Sequence, residues 1–167
     1  MVTLAGAGGM GKTRLAIQVG HQLLHAYPDG VWFVPLDSLS DPLRLPQTVA
    51  SVFGIQEGHD RQVMEILIYV LHEKTALLIL DNCEHLLESC TTLVRMLLTH
   101  CPDLRVLATS REILKVEGEA TYQLSSLSTP EESDAPEKYL NMIDSSAKTR
   151  GQLSSKLNPP QQGSFLI

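Results

Sequence analysis

Aromatic side chains are scarce in this 167-residue sequence, making up only 5% of it. A core built from such a chain must be aliphatic, which suits layered α/β domains, and 43% hydrophobic residues suffice for one sizeable core. Clustered positive charge is missing too. The 13 Lys and Arg residues are scattered and the net charge is −6, so the chain offers no basic surface for coating nucleic-acid phosphates. Cysteine is limited to Cys83, Cys90 and Cys101, with no CxxC pair. That suits reduced thiols packed as small hydrophobes. No charged segment followed by an apolar stretch opens the chain, and no apolar run approaches the roughly 18 residues of a membrane span. The expectation is a soluble, cytoplasmic protein without membrane contact.

Short apolar runs alternate with stretches of helical spacing. Met1 to Ala5, Val31 to Leu36, Ala76 to Leu80 and Leu104 to Ala108 read as buried strands, and Thr121 to Leu124 as a short last one. Leu15, Ala16, Val19 and Leu23 mark a first helix. A second is expected from Pro46 to Phe53, stopped by Gly54, and a third over Val63, Ile66, Leu67, Val70 and Leu71. Leu86, Leu87, Cys90, Leu93, Val94, Leu97 and Leu98 form the wide stripe of a fourth. Strands apolar on both faces, alternating with helices, predict a mostly parallel five-stranded sheet covered on both sides, a three-layer α/β/α fold. From Ser128 to Ile167, Ser, Pro, Gln and charged residues dominate. This stretch is expected to be a poorly ordered tail, its terminal Phe165-Leu166-Ile167 a loose end rather than a small docking point.

Gly6-Ala7-Gly8-Gly9-Met10-Gly11-Lys12-Thr13 satisfies G-x-x-x-x-G-K-[ST]. Each fixed position has a physical task. Glycines let the backbone curl so that successive N–H groups point inward at phosphate oxygens. The next helix, whose first turn includes Arg14, adds unpaired N–H groups and the positive end of its dipole. Lys12 supplies an ammonium for the β- and γ-phosphates, and the Thr13 hydroxyl a ligand for Mg²⁺. Such a match arises by chance in roughly one chain in two hundred of this length. Here it also sits between a strand and an amphipathic helix, the context its chemistry requires.

A bound triphosphate carries Mg²⁺, which needs a carboxylate at the ligand edge of the sheet. Leu77-Leu78-Ile79-Leu80-Asp81 ends a buried run in that acid, so Asp81 is the expected metal residue, acting through water. Asn82 follows where many P-loop ATPases have a second acid; an amide can bond a water but cannot take its proton. Glu84 can serve instead, or act as a first-turn acid favouring a helix dipole, and the sequence leaves both open. Thr109-Ser110-Arg111 leaves the next strand, placing Arg111 where a cation can sense a γ-phosphate. His21 and His25 lie one turn apart without a third ligand, and these, with His85 and His100, read as structural. No G-x-S-x-G elbow suggests a hydrolase. No N-K-x-D block suggests guanine reading, and no Arg-rich lid a kinase.

The blocks LAGAGGMGKTRLA (Leu4 to Ala16), DGVWFVPL (Asp29 to Leu36), LLILDNCEHLL (Leu77 to Leu87) and LRVLATSRE (Leu104 to Glu112) together resemble the NB-ARC-like STAND ATPases of bacteria. They are similar in particular to the ATPase domains of large LuxR-type transcriptional regulators. The resemblance spans Met1 to about Leu127. It implies a P-loop core in which the strand before Arg111 lies between the cradle strand and the Asp81 strand, with ATP, ADP and Mg²⁺ as ligands. It also implies signalling, with ADP holding the protein closed and ATP permitting assembly. By that resemblance Gly6, Gly11, Lys12 and Thr13 carry the cradle, Asp81 the metal site and Arg111 the sensor.

Parts of the family pattern are not found: residues ahead of the first strand that wrap adenine and, beyond about Thr129, the Gly-Leu-Pro-type motif, the winged-helix arm and the superhelical sensor repeats. The expectation is a truncated ATP/ADP-binding module with slow or no hydrolysis, its tail a gene fragment or shifted frame. A degenerate interaction module is the alternative.

Overall fold

A computed structural model describes residues 1–55 and 60–125 and the backbone of residues 165–166; of residues 60–62 it describes the backbone alone. Strands β1 (Val2–Ala5), β2 (Val31–Pro35), β3 (Leu77–Asp81), β4 (Arg105–Ser110) and β5 (Ala120–Gln123) form the sheet. They alternate with helices α1 (Lys12–Leu23), α2 (Leu45–Val52), α3 (Asp60–Leu71) and α4 (Leu87–His100). Every strand pair is parallel, and a two-residue strand β6 (Phe165–Leu166) adds to the edge, giving the order β5-β1-β4-β3-β2-β6. β4 therefore lies between β1 and β3, where the resemblance put it.

The three layers follow from strand alternation. Successive side chains of a strand point to opposite faces. In β3, Leu78 and Leu80 enter the core made with α2, α3 and α4, whereas Leu77 and Ile79 enter the smaller core made with α1. β4 divides the same way, Val106 and Ala108 to one side and Leu107 to the other. All five residues of β3 are buried, so it is the spine of the domain. Truncating Ile79 to alanine would cost about 2–5 kcal/mol, the usual range for a buried aliphatic.

Element boundaries differ from the sequence expectation where local chemistry intervenes. β3 runs through Asp81 rather than stopping before it. Asn82 then takes a left-handed conformation (φ 67°, ψ 50°) and a 3-10 turn, Cys83–His85, precedes α4. A further 3-10 turn at Pro42–Arg44 is capped by Asp41, whose carboxylate accepts from Leu43 N at 3.0 Å. The expected tail from 128 to 164 lies outside the described residues. Phe165–Leu166 is not a loose end in this structure: its backbone pairs with Val31 and Trp32 along the edge of β2, where unpaired backbone groups recruit a further strand.

The topology also picks the ligand edge. β1 sends the chain through α1 to β2 on one side, while its neighbour β4 sends it to β5 on the other. Adjacent strands whose connections diverge open a crevice beyond their carboxyl ends, the place where α/β sheets of this kind bind ligands.

Candidate functional site

Three chain segments meet at that crevice: the loop after β1, the turn after β3 and the end of β4. The loop is held from below by its own backbone, Gly6 N donating to Ser110 O at 3.2 Å. A Cβ on Gly6 would lie 2.9 Å from the carbonyl oxygen of Leu124, closer than side-chain carbons come to a backbone oxygen, so this position is closed to other residues. Gly11 caps α1 in a left-handed conformation (φ 77°, ψ 17°) that an L-side chain rarely adopts. Ala7, Gly8 and Gly9 are exposed at the crest and Met10 is half-buried.

Lys12, the first residue of α1, is only 9% exposed. Its Nζ folds back over the loop and donates to Gly6 O at 2.7 Å and Ala7 O at 2.9 Å. A lysine ammonium has three donors, and two are spent fixing the positive charge at the mouth of the loop. Arg14, two residues along, is exposed on α1.

Thr13 points the other way. Its Oγ1 lies 2.9 and 3.0 Å from the two carboxylate oxygens of Asp81, which is 8% exposed. The Thr109 hydroxyl donates to Asp81 Oδ1 at 2.5 Å and accepts from Asn82 N at 2.9 Å. The first turn of α1 and the ends of β3 and β4 are thus tied together by one carboxylate and two hydroxyls. Thr13 and Asp81 form a pair of hard oxygen donors, the set Mg²⁺ prefers alongside phosphate and water. No cluster of three or more His, Cys, Asp or Glu suited to a metal occurs among the described residues. His85 and His100 instead bond the carbonyls of Leu39 and Met96, at 2.9 Å each.

Arg111, the residue after β4, is 65% exposed along its side chain and Glu84 is 18% exposed. Nε of Arg111 donates to Glu84 Oε1 at 3.1 Å. The far end of the guanidinium, Nη2, lies 3.7 Å from where a Cβ on Gly8 would stand, so it rests beside the loop. Glu84 Oε2 is buried and has no hydrogen-bond partner among the described residues.

All three cysteines are buried free thiols. Cys83, next in the turn after Asn82, has its thiol pushed well above the ordinary range. The chief cause is its hydrogen bond with the Cys90 side chain, followed by burial and the charges of Asp81 and Glu84. It is a packed thiol rather than a nucleophile at neutral pH.

Thr109 was not singled out for this cluster by the sequence, although a hydroxyl ending the strand beside an acid-terminated one was a usable signal. Asn82 offers an amide that could bond a water. Its decisive property is its backbone, since Asn tolerates the left-handed turn better than most residues.

No family model matches the chain. Among solved structures it is similar to the crystal structure of a Signal Transduction ATPase with Numerous Domains (STAND) protein with a tetratricopeptide repeat sensor from Pyrococcus horikoshii. That likeness has a TM-score of 0.53 at 18% identity and covers 86% of this chain and 25% of that one. It is also similar to Cdc6p from Pyrobaculum aerophilum, with a TM-score of 0.57 at 14% identity over 74% of this chain and 38% of the other. The fold is that of a P-loop NTPase.

In sequence the chain is 41% identical over 132 residues to provisionally named HTH-type transcriptional regulators of Mycobacterium bovis and Mycobacterium tuberculosis. It is 33% identical over 116 residues to the regulatory protein AfsR of Streptomyces griseus. These alignments take in 79% and 65% of the chain, but only 15% and 11% of the relatives' lengths. The chain thus corresponds to a small part of each relative. No helix among the described residues is long and apolar enough to cross a membrane.

Proposed function

We propose that this chain is the ATP- and ADP-binding module of a signal-transducing ATPase of the STAND type, working within a transcriptional regulator. The observation that carries this reading is the convergence of the Lys12 ammonium, the Thr13 hydroxyl and the Asp81 carboxylate around one glycine-lined loop. The loop's backbone N–H groups and the dipole of α1 would receive the β- and γ-phosphates. Lys12 would exchange a carbonyl partner for a phosphate oxygen. Thr13 and Asp81 fit Mg²⁺ as oxygen donors, and a bound Mg²⁺ would supply charge neutralisation to the phosphates. Arg111, beside Gly8, would distinguish ATP from ADP.

Hydrolysis is expected to be slow. Asn82 cannot accept a proton, and Oε1 of Glu84 is engaged by Arg111. The regulator names of the relatives support a signalling role, and the chain's acidity assigns any DNA contact to other parts of such a protein.

The test is thermal melting with Mg-ATP, Mg-ADP and Mg-GTP, since a ligand that binds only the folded state must raise the midpoint. Both adenine nucleotides should raise it and GTP should do so less. Lys12→Ala should weaken ATP by roughly thirty- to a hundredfold or more, the worth of a charged hydrogen bond to phosphate. A folded protein whose midpoint ignores millimolar Mg-ATP and Mg-ADP would instead support a degenerate interaction module.

A further inference from the structure

The geometry points to Glu84 as the positioning residue for Arg111: it holds the guanidinium against the phosphate loop and so sets the preference for a nucleoside triphosphate over a diphosphate. This rests on the loop being a nucleotide site, and it gives Glu84 a task different from proton transfer.

The argument begins with which atoms are engaged. A guanidinium presents its donors in a rigid planar fork. Here Nε, nearest the chain, donates to Glu84 Oε1 at 3.1 Å, while Nη2 lies beside Gly8. Fixing the inner donor sets the plane of the fork and leaves Nη2 beside the loop. Arg111 is 65% exposed and Glu84 18%. The carboxylate is therefore the fixed partner, and the arginine is the long flexible chain whose rotamers must be restrained. Binding that leaves fewer rotamers to freeze loses less entropy.

Neither carboxylate oxygen is well placed as a base. Oε1 is engaged by Arg111, and Oε2 is buried without a protein partner. The left-handed Asn82 and the 3-10 turn after it carry Glu84 from the end of β3 to this position. The chain thereby joins the Asp81 strand to the Arg111 strand through a second link.

A carboxylate near a polyphosphate also repels it, so the sign of the effect is diagnostic. The experiment measures Mg-ATP and Mg-ADP dissociation constants by calorimetry for wild type, Glu84→Gln, Glu84→Ala, Arg111→Ala and the Glu84→Ala/Arg111→Ala double variant, with single-turnover ATP hydrolysis alongside. Glu84→Ala should lower the preference for ATP over ADP roughly two- to fivefold, the range expected for loss of one exposed ion pair. Glu84→Gln keeps an acceptor for Nε and should stay within about twofold of wild type. With Arg111 removed, Glu84→Ala should change the ratio no further.

A ratio that rises in Glu84→Ala would overturn the assignment, because repulsion or competition for Arg111 would then dominate. An equal drop with and without Arg111 would overturn it as well. So would loss of hydrolysis in Glu84→Gln together with a wild-type ratio in Glu84→Ala, the mark of a base rather than a positioning residue. Each of these leaves the nucleotide site standing, whereas wild-type protein that binds neither nucleotide removes both readings together.

Discussion

Two polar groupings sit at the carboxyl edge of this sheet, and they are built on opposite plans. Around Asp81 the carboxylate is buried, takes two hydroxyl donors, and one of these hydroxyls also satisfies the backbone of Asn82. Around Arg111 one ion pair joins a half-buried acid to a mostly exposed cation. The first grouping is interlinked, so losing Asp81 or Thr109 leaves a partner without its bond. The second hangs on one contact in solvent, worth about 0–1 kcal/mol. On the proposed nucleotide reading, stability and selectivity would fall to different residues within a few positions of one another. Such a division would suit the proposed site, which has to hold a phosphate cradle steady while registering one phosphate more or less.

Substitutions can break or sharpen this contrast. Asp81→Ala should have the largest effect, removing the acceptor of two hydroxyls and lowering stability by about 2–3 kcal/mol in urea unfolding. It should also abolish any dependence of ATP binding on Mg²⁺. Thr109→Val keeps the shape but leaves the Asn82 N–H without its acceptor. A loss of about 1–2 kcal/mol is expected, with the ATP-to-ADP ratio unchanged. Arg111→Ala should lower the unfolding free energy in urea least, by under about 1 kcal/mol, yet bring the two nucleotide affinities close together. If Arg111→Ala proved as destabilising as Thr109→Val, the division of labour would be lost.

What the sequence revealed depends on how local each feature is. The Gly6–Thr13 loop is a contiguous pattern and β3 is an apolar run closed by an acid, so both could be read without knowing any neighbour. The helices α1 and α4 were visible because one face of each is apolar at helical spacing. The Thr109–Asp81 bond and the Arg111–Glu84 pair join residues 28 and 27 positions apart. They exist because β3 and β4 are adjacent and in register, Leu80 opposite Ala108. No window of sequence contains that register. Asn82 shows a different difficulty: its side chain invited a chemical reading, while its backbone angle is what shapes the turn.

The contact between Gly6 and Leu124 has a mechanical corollary. Leu124 N donates to Ala5 O at 2.7 Å, and its carbonyl fills the space where a side chain on Gly6 would be. Polypeptide leaving β5 is therefore coupled to the first glycine of the cradle with no slack between them. A pull of even a few tenths of an ångström on that exit would reach the cradle directly, and a change in the cradle would be transmitted outward along the same path.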